Sequence, residues 1–145
     1  LDYPTHQMHQ DYVKQLNRLY QNTPALWQDD HSWEGFHWLD ADDSAQSILL
    51  FRRTGREKTK AVTVLLNFQP EVYSDFRIGV PYPGQYQELL SSDATEFGGS
   101  GKGNPDILKA EPVPCHGEKW SVRVTVPPIG GILLQKLPRK YAKQK

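Results

Sequence analysis

A chain of 145 residues has room for one domain with a sizeable core and an appended element. Hydrophobic residues at 37% and aromatics at 11% exclude a disordered linker, and the 11 Gly and 11 Pro describe a turn-rich globular protein. The formal net charge is zero, but residues 1–50 hold eight of the 17 acids and two of the 17 bases, so the two parts of the chain carry opposite charge and attract each other.

No apolar run approaches the roughly 20 residues of a membrane helix, and residues 1–10 lack a basic-then-apolar leader. A soluble, non-secreted protein without a membrane partner is therefore expected. The single cysteine, Cys115, excludes an internal disulfide and agrees with a reducing compartment. Leu1-Asp2-Tyr3-Pro4 contains no initiator Met, from which a natural start further upstream is expected.

The first predicted element is a helix over Thr5 to Gln21. Met8, Tyr12, Val13, Leu16, Leu19 and Tyr20 recur at spacings of three and four and form one apolar stripe that needs a partner. Thr5 is the expected N-cap, and Thr23-Pro24 is expected to cap and open a second short turn. An isolated helix of this length is marginal in water, so its stripe should pack on the rest of the chain, on missing upstream sequence or on another molecule.

From Trp33 the period becomes two. Candidate strands are Phe36 to Asp40, Ser47 to Arg53, Ala61 to Phe68, Tyr73 to Val80, Gln85 to Leu90, Ile107 to Glu111, Trp120 to Val126 and Ile132 to Leu137. About eight short strands without helical crossovers predict a mainly β fold, an antiparallel β-sandwich preceded by one N-terminal helix. Val62, Val64, Leu66 and Phe68 alternate with Thr63 and Asn67, and Trp120, Val122, Val124 and Val126 with Ser121, Arg123 and Thr125. Each of these two strands should present one wet face. Ser47 to Phe51 is apolar on both sides and is placed centrally; Pro112 and Pro114 confine the Ile107 segment to an edge. Arg52 to Lys60 reads as a hairpin loop.

Most candidate motifs fail on chemical grounds. Gly98 to Asn104 resembles a phosphate loop, but that motif needs Gly where Glu96 stands and Ser or Thr where Gly103 stands, so a surface loop is the better reading. His6 and His9 with Asp2 lack a fourth metal ligand, and no metal or cofactor is expected. Cys115 and His116 would point apart in extended backbone, which disfavours a nucleophile-base pair and favours a turn between Pro114 and Gly117. Asp40, Asp42 and Asp43 fit either a calcium site or a carboxylate pair, against a solvated turn as the plainer reading. Trp38 and Trp120 lie in strands and are read as core. Trp27 and Trp33 lie in irregular sequence, where stacking on a sugar ring competes with packing against a neighbouring domain as the plainer reading. The basic tail, with Lys136, Arg139, Lys140, Lys143 and Lys145, fits an anion-binding segment or a solvated terminus. No RNA-binding aromatic pattern accompanies it, so no nucleic-acid partner is expected.

Several ordered segments together resemble the carboxyl-terminal end of bacterial 1,4-α-glucan (glycogen) branching enzymes of the α-amylase superfamily. They are Leu1 to Gln7, Leu16 to Tyr20, Glu34 to Asp43, Asn67 to Pro70, Asp93 to Asn104, His116-Gly117 and Ser121 to Leu134. The resemblance covers nearly the whole chain, although residues 7–11 depart from the usual pattern and the tail after Leu137 has no counterpart in it. It implies that residues 1–30 are the last helix of a (β/α)₈ barrel and its connector, 31–137 the carboxyl-terminal all-β domain, and 138–145 a disordered tail. Tyr12, Leu16, Leu19 and Tyr20 would then face a barrel lying in cis.

In such enzymes an Asp attacks the α-1,4 bond and a Glu serves as acid and then base. A glucan 6-hydroxyl, rather than water, resolves the covalent intermediate. Those residues would lie upstream, so the resemblance assigns no catalytic residue to this chain, which alone should be inactive. Its rivals are a glucan-binding module, using Trp27 and Trp33, and an oligomerisation or interaction module using the helix stripe.

Overall fold

A computed structural model of the chain describes residues 4–28, 35–40, 48–97, 99, 101, 104–105 and 107–138. The first helix, α1 (Pro4–Asn22), starts one residue earlier than expected. Proline at the first helical position gives up an N–H that has no intrahelical acceptor anyway, so Pro4 opens the helix and Thr5 lies inside it rather than capping it. Pro24 disfavours helical backbone at the residue before it, and Thr23 is non-helical at φ −122°, ψ 88°. A 3-10 turn then runs over Pro24–Leu26. Thr23 stands at its N-cap but makes no side-chain capping bond, a correction to the sequence reading; the Thr23 carbonyl instead accepts the Leu26 N–H at 2.9 Å.

The expected strands form, as β1 (Phe36–Asp40), β2 (Ile48–Arg53), β3 (Val62–Asn67), β4 (Tyr73–Val80), β5 (Gln85–Ser91), β6 (Leu108–Lys109), β7 (Trp120–Val126) and β8 (Gly130–Lys136). Six make a sheet ordered β1-β2-β3-β8-β5-β6, and β4 pairs with β7, every pairing antiparallel. The runs rich in Val, Ile, Leu and Tyr supply the ladder, and Pro and Gly punctuate them. As expected, β2 is internal and β6 is an edge. That edge is shorter than the sequence suggests, because Glu111 leaves it to exchange both backbone bonds with Ser121 of β7, at 2.7 and 3.0 Å.

The main core lies between the sheets. Ile48, Leu50, Leu65, Ile132 and Leu134 meet Ile78, Val80, Val122, Val124 and Val126 across it, all nearly or wholly buried. Trp120 packs against this core from its half-buried position, as expected. Strand β3 reverses the expectation of one wet face. Its presumed polar side, Thr63 and Asn67 with Leu65 between them, faces the sandwich interior and is buried. Asn67 is tolerated there because its amide donates to the Glu71 and Pro127 carbonyls at 3.0 and 2.9 Å and accepts from the Gln69 N–H at 2.9 Å.

On the opposite face, Val62 and Val64 form a second cluster with Ala25, against which Leu26, Phe51, Leu66 and Leu133 pack. The connector after α1 therefore covers part of the sheet's outer surface. Strand β7 keeps its alternation except at Ser121, which is buried beneath Arg77 and Val113: its hydroxyl donates to the Val113 carbonyl at 2.7 Å and accepts from Arg77 at 2.8 Å.

Candidate functional site

Sheet register determines what the outer surface offers. Strand β1 places Trp38 opposite Phe51 and Phe36 opposite Arg53, β3 places Val64 opposite Leu133, and β8 places Gln135 opposite Gln87. From β1 towards β5, the outer face thus passes from aromatic through aliphatic to amide. At the aromatic end, Phe36 and Phe51 stack at 4.9 Å, and Trp38 meets them edge-on at 5.0 and 5.6 Å. Trp38 is 49% exposed, so its assignment to the core is corrected: its strand position turns it to the outer face, away from the sandwich interior.

At the amide end lies a cavity of about 1190 Å³. Its floor is Gln85, Gln87 and Gln135, and the 3-10 turn and its flanks supply Pro24, Ala25 and Gln28 on one side. Tyr82 and Pro83 form another wall, and the β2–β3 connection adds Gly55, Glu57 and Lys60. That connection is held by Gln28, whose Oε1 accepts the Arg56 N–H at 2.9 Å. Gln135 Nε2 donates to the Lys60 carbonyl at 2.9 Å. Gly55 is needed because a side chain there would meet Gln28 Oε1 and the Ala25 backbone.

Beneath this end, the Tyr86 hydroxyl donates to the Tyr82 carbonyl at 2.8 Å; burial pushes its pKa up to about 12. Arg52 pairs with Glu118 at 3.2 Å in a mostly buried bridge that ties β2 to the β7 approach. Glu88, on the inner side of β5, is pushed upward by burial, an effect opposed by the Asn104 amide that donates to it at 2.8 Å. Asn104 also exchanges bonds with the Thr125 backbone at 2.6 and 3.1 Å, so it joins β5 to β7.

The residues singled out in the sequence do not converge. Trp27 closes the Pro24 turn and is 39% exposed. Tyr12 lies against Phe97 at 5.0 Å, and burial raises its pKa. Leu16 and Leu19 are half-buried, and Tyr20 is 46% exposed. Trp33, Asp42, Asp43, Asp2 and the basic tail from Arg139 lie outside the described residues, as do four positions of the Gly98 to Asn104 loop.

The turn expected between Pro114 and Gly117 forms, with His116 at φ 52° and Gly117 at φ 78°, and it brings Cys115 and His116 together, Sγ 3.4 Å from Nδ1, where extended backbone would point them apart. Nδ1 accepts the Gly79 N–H at 3.0 Å, and Sγ donates to the Arg77 carbonyl at 3.6 Å, so the pair fastens the turn to β4. Among the described residues there is no cluster of three or more metal-ligating side chains, and Glu57 is the only acid lining the cavity. A retaining glycosidic site needs two carboxylates about 5 Å apart, which this lining does not supply. No helix among the described residues is long and apolar enough to cross a membrane. The amide floor was missed in the sequence; the alternation of Gln85 and Gln87 was its one local signal.

A helix followed by two antiparallel sheets packed face to face defines an all-β domain with one appended helix. The chain belongs to the family of the alpha amylase C-terminal all-beta domain, whose profile matches residues 38–136. Over 135 residues it is 42% identical to the 1,4-alpha-glucan branching enzyme GlgB of Desulfitobacterium hafniense, covering 93% of this chain and 21% of that protein. It is 39% identical over 137 residues to the enzyme of the same name from Halothermothrix orenii, with 94% and 22% covered. With that from Shewanella frigidimarina it shares 44% over 130 residues, with 90% and 18% covered. The chain therefore spans about a fifth of the length of these relatives.

Proposed function

We propose that this chain serves as the non-catalytic carboxyl-terminal domain of a cytoplasmic 1,4-α-glucan branching enzyme. That enzyme cuts an α-1,4 glucan and rejoins the segment through an α-1,6 bond. The observation that carries the reading is identity near 40% over almost the whole chain to proteins named as branching enzymes, of which it spans only about a fifth. A groove lined by a single acid agrees with chemistry performed by another domain.

In this reading, residues 1–30 are the last barrel helix and its connector, 31–137 the all-β domain, and 138–145 a tail. The family match begins at residue 38, beyond the helix, which supports the division. Leu16, Leu19 and Tyr20 would face the barrel, and the exposure of Tyr20 on a patterned helix favours this. Tyr12 already packs against Phe97, so it would offer that side only the part of its ring left exposed. Trp27 is retained as a candidate glucan contact, with Trp33 proposed from sequence alone.

The test is incubation of the purified chain with amylose, followed by counting of α-1,6 linkages. None above the blank is expected. New linkages would overturn the non-catalytic reading.

A further inference from the structure

We propose that the cavity over Gln85, Gln87 and Gln135 is a binding groove for a neutral oligosaccharide, an α-1,4-glucan segment; the identity of the sugar rests on the branching-enzyme reading. The cavity itself does not. At about 1190 Å³ it exceeds the usual upper size of small-ligand clefts, about 1,000 Å³, so it suits a chain of sugar units better than one ring.

Its chemistry is that of a polyol site. The floor is uncharged, built by Gln87 directly opposite Gln135 and by Gln85 two residues from Gln87 on the same face of β5. Carboxamides both donate and accept, as sugar hydroxyls do. The bonds already made leave complementary groups. Gln28 uses its oxygen on the Arg56 N–H and keeps its NH₂ as a donor, whereas Gln135 uses its NH₂ on the Lys60 carbonyl and keeps its oxygen as an acceptor. The same two bonds hold both amides in place, which lowers the ordering cost of binding.

Tyr82 and Pro83 on the wall add flat apolar surface of the kind that packs against the C–H face of a pyranose. Three cations, Arg56, Lys60 and Lys136, line the rim with the single acid Glu57. Lys60 pairs with Glu57 at 3.5 Å and Lys136 Nζ contacts the Leu137 carbonyl at 3.4 Å, so an anion is the rival ligand and phosphate the competitor that distinguishes the two.

The experiment is a calorimetric or NMR titration of the chain with maltoheptaose, with inorganic phosphate as competitor. Saturable binding is expected, undisturbed by phosphate and weakened about tenfold or more in Gln87→Ala/Gln135→Ala, the loss of two hydrogen-bonding groups. Tyr82→Ala, whose backbone carbonyl still serves Tyr86, should also weaken it and provides a second variant if the double one fails to fold. Trp38→Ala, at the far end of the sheet, should bind as the parent does. Absence of saturable binding, displacement by phosphate, or unchanged affinity in folded groove variants would each overturn the proposal. Catalysis is not read in this titration. Failed binding would remove the groove and leave the non-catalytic role standing, whereas α-1,6 linkages made by the chain alone would remove that role and leave the groove.

Discussion

The inner and outer faces of the six-stranded sheet are built from the same strands to different ends. The inner face meets β4 and β7 with branched aliphatic side chains that are almost wholly buried. The outer face grades from Trp38 and Phe51, through Val62 and Val64 under Ala25, to Gln87 and Gln135 in an open groove. Adjacent residues of one strand therefore do different work. Leu65 closes the sandwich, while Leu66 beside it only half-buries itself beneath the connector. The inner face specifies the fold by excluding water; the outer one leaves surface for a partner or a ligand.

The largest effect should separate those two neighbours. Leu65→Ala removes a fully buried side chain and is expected to cost about 3–5 kcal/mol, whereas Leu66→Ala should cost about 1–2 kcal/mol. Urea denaturation of both variants measures this, and equal losses would erase the distinction between the faces. Trp38→Ala comes next. It forfeits two edge-on aromatic contacts from a half-exposed position, so about 1 kcal/mol is expected in the same measurement. A loss as large as that at Leu65 would mean that the aromatic end is a true core.

The smallest effect sharpens the inner face. Burial raises the Glu88 pKa in the folded state, so the stability linked to its protonation is complete below its ordinary value, near pH 4, and is lost as pH rises through the raised one. Glu88→Gln should therefore melt about one or two degrees higher at pH 7, with the advantage vanishing below about pH 4. Thermal scans across that range would show it, and an advantage that persists in acid would assign the gain to something other than ionisation.

Strand positions were legible because their signals are local: alternation in Val122, Val124 and Val126, and turn residues such as Pro127-Pro128. Which way a strand faces was legible for β7 and not for β3. Apolar residues lie on both sides of β3, and only the arrival of the Pro24 turn on one of them decides the matter. Trp38 misled because strand membership does not specify the side on which a ring emerges. The groove was illegible for a different reason, since Gln28, Tyr82, Gln87 and Gln135 come from distant segments and become neighbours only through the order β3-β8-β5. The family resemblance, by contrast, needed no geometry, because it rested on ordered stretches of sequence.

The most direct test of the accessory-domain role is a graft. In the Desulfitobacterium hafniense branching enzyme, the carboxyl-terminal segment that aligns with this chain is replaced by it, and branch formation on amylose is measured. Activity within about tenfold of the parent is expected, a barrier change of no more than about 1.4 kcal/mol. A folded graft whose branching does not rise above the blank would contradict the role assigned to this chain.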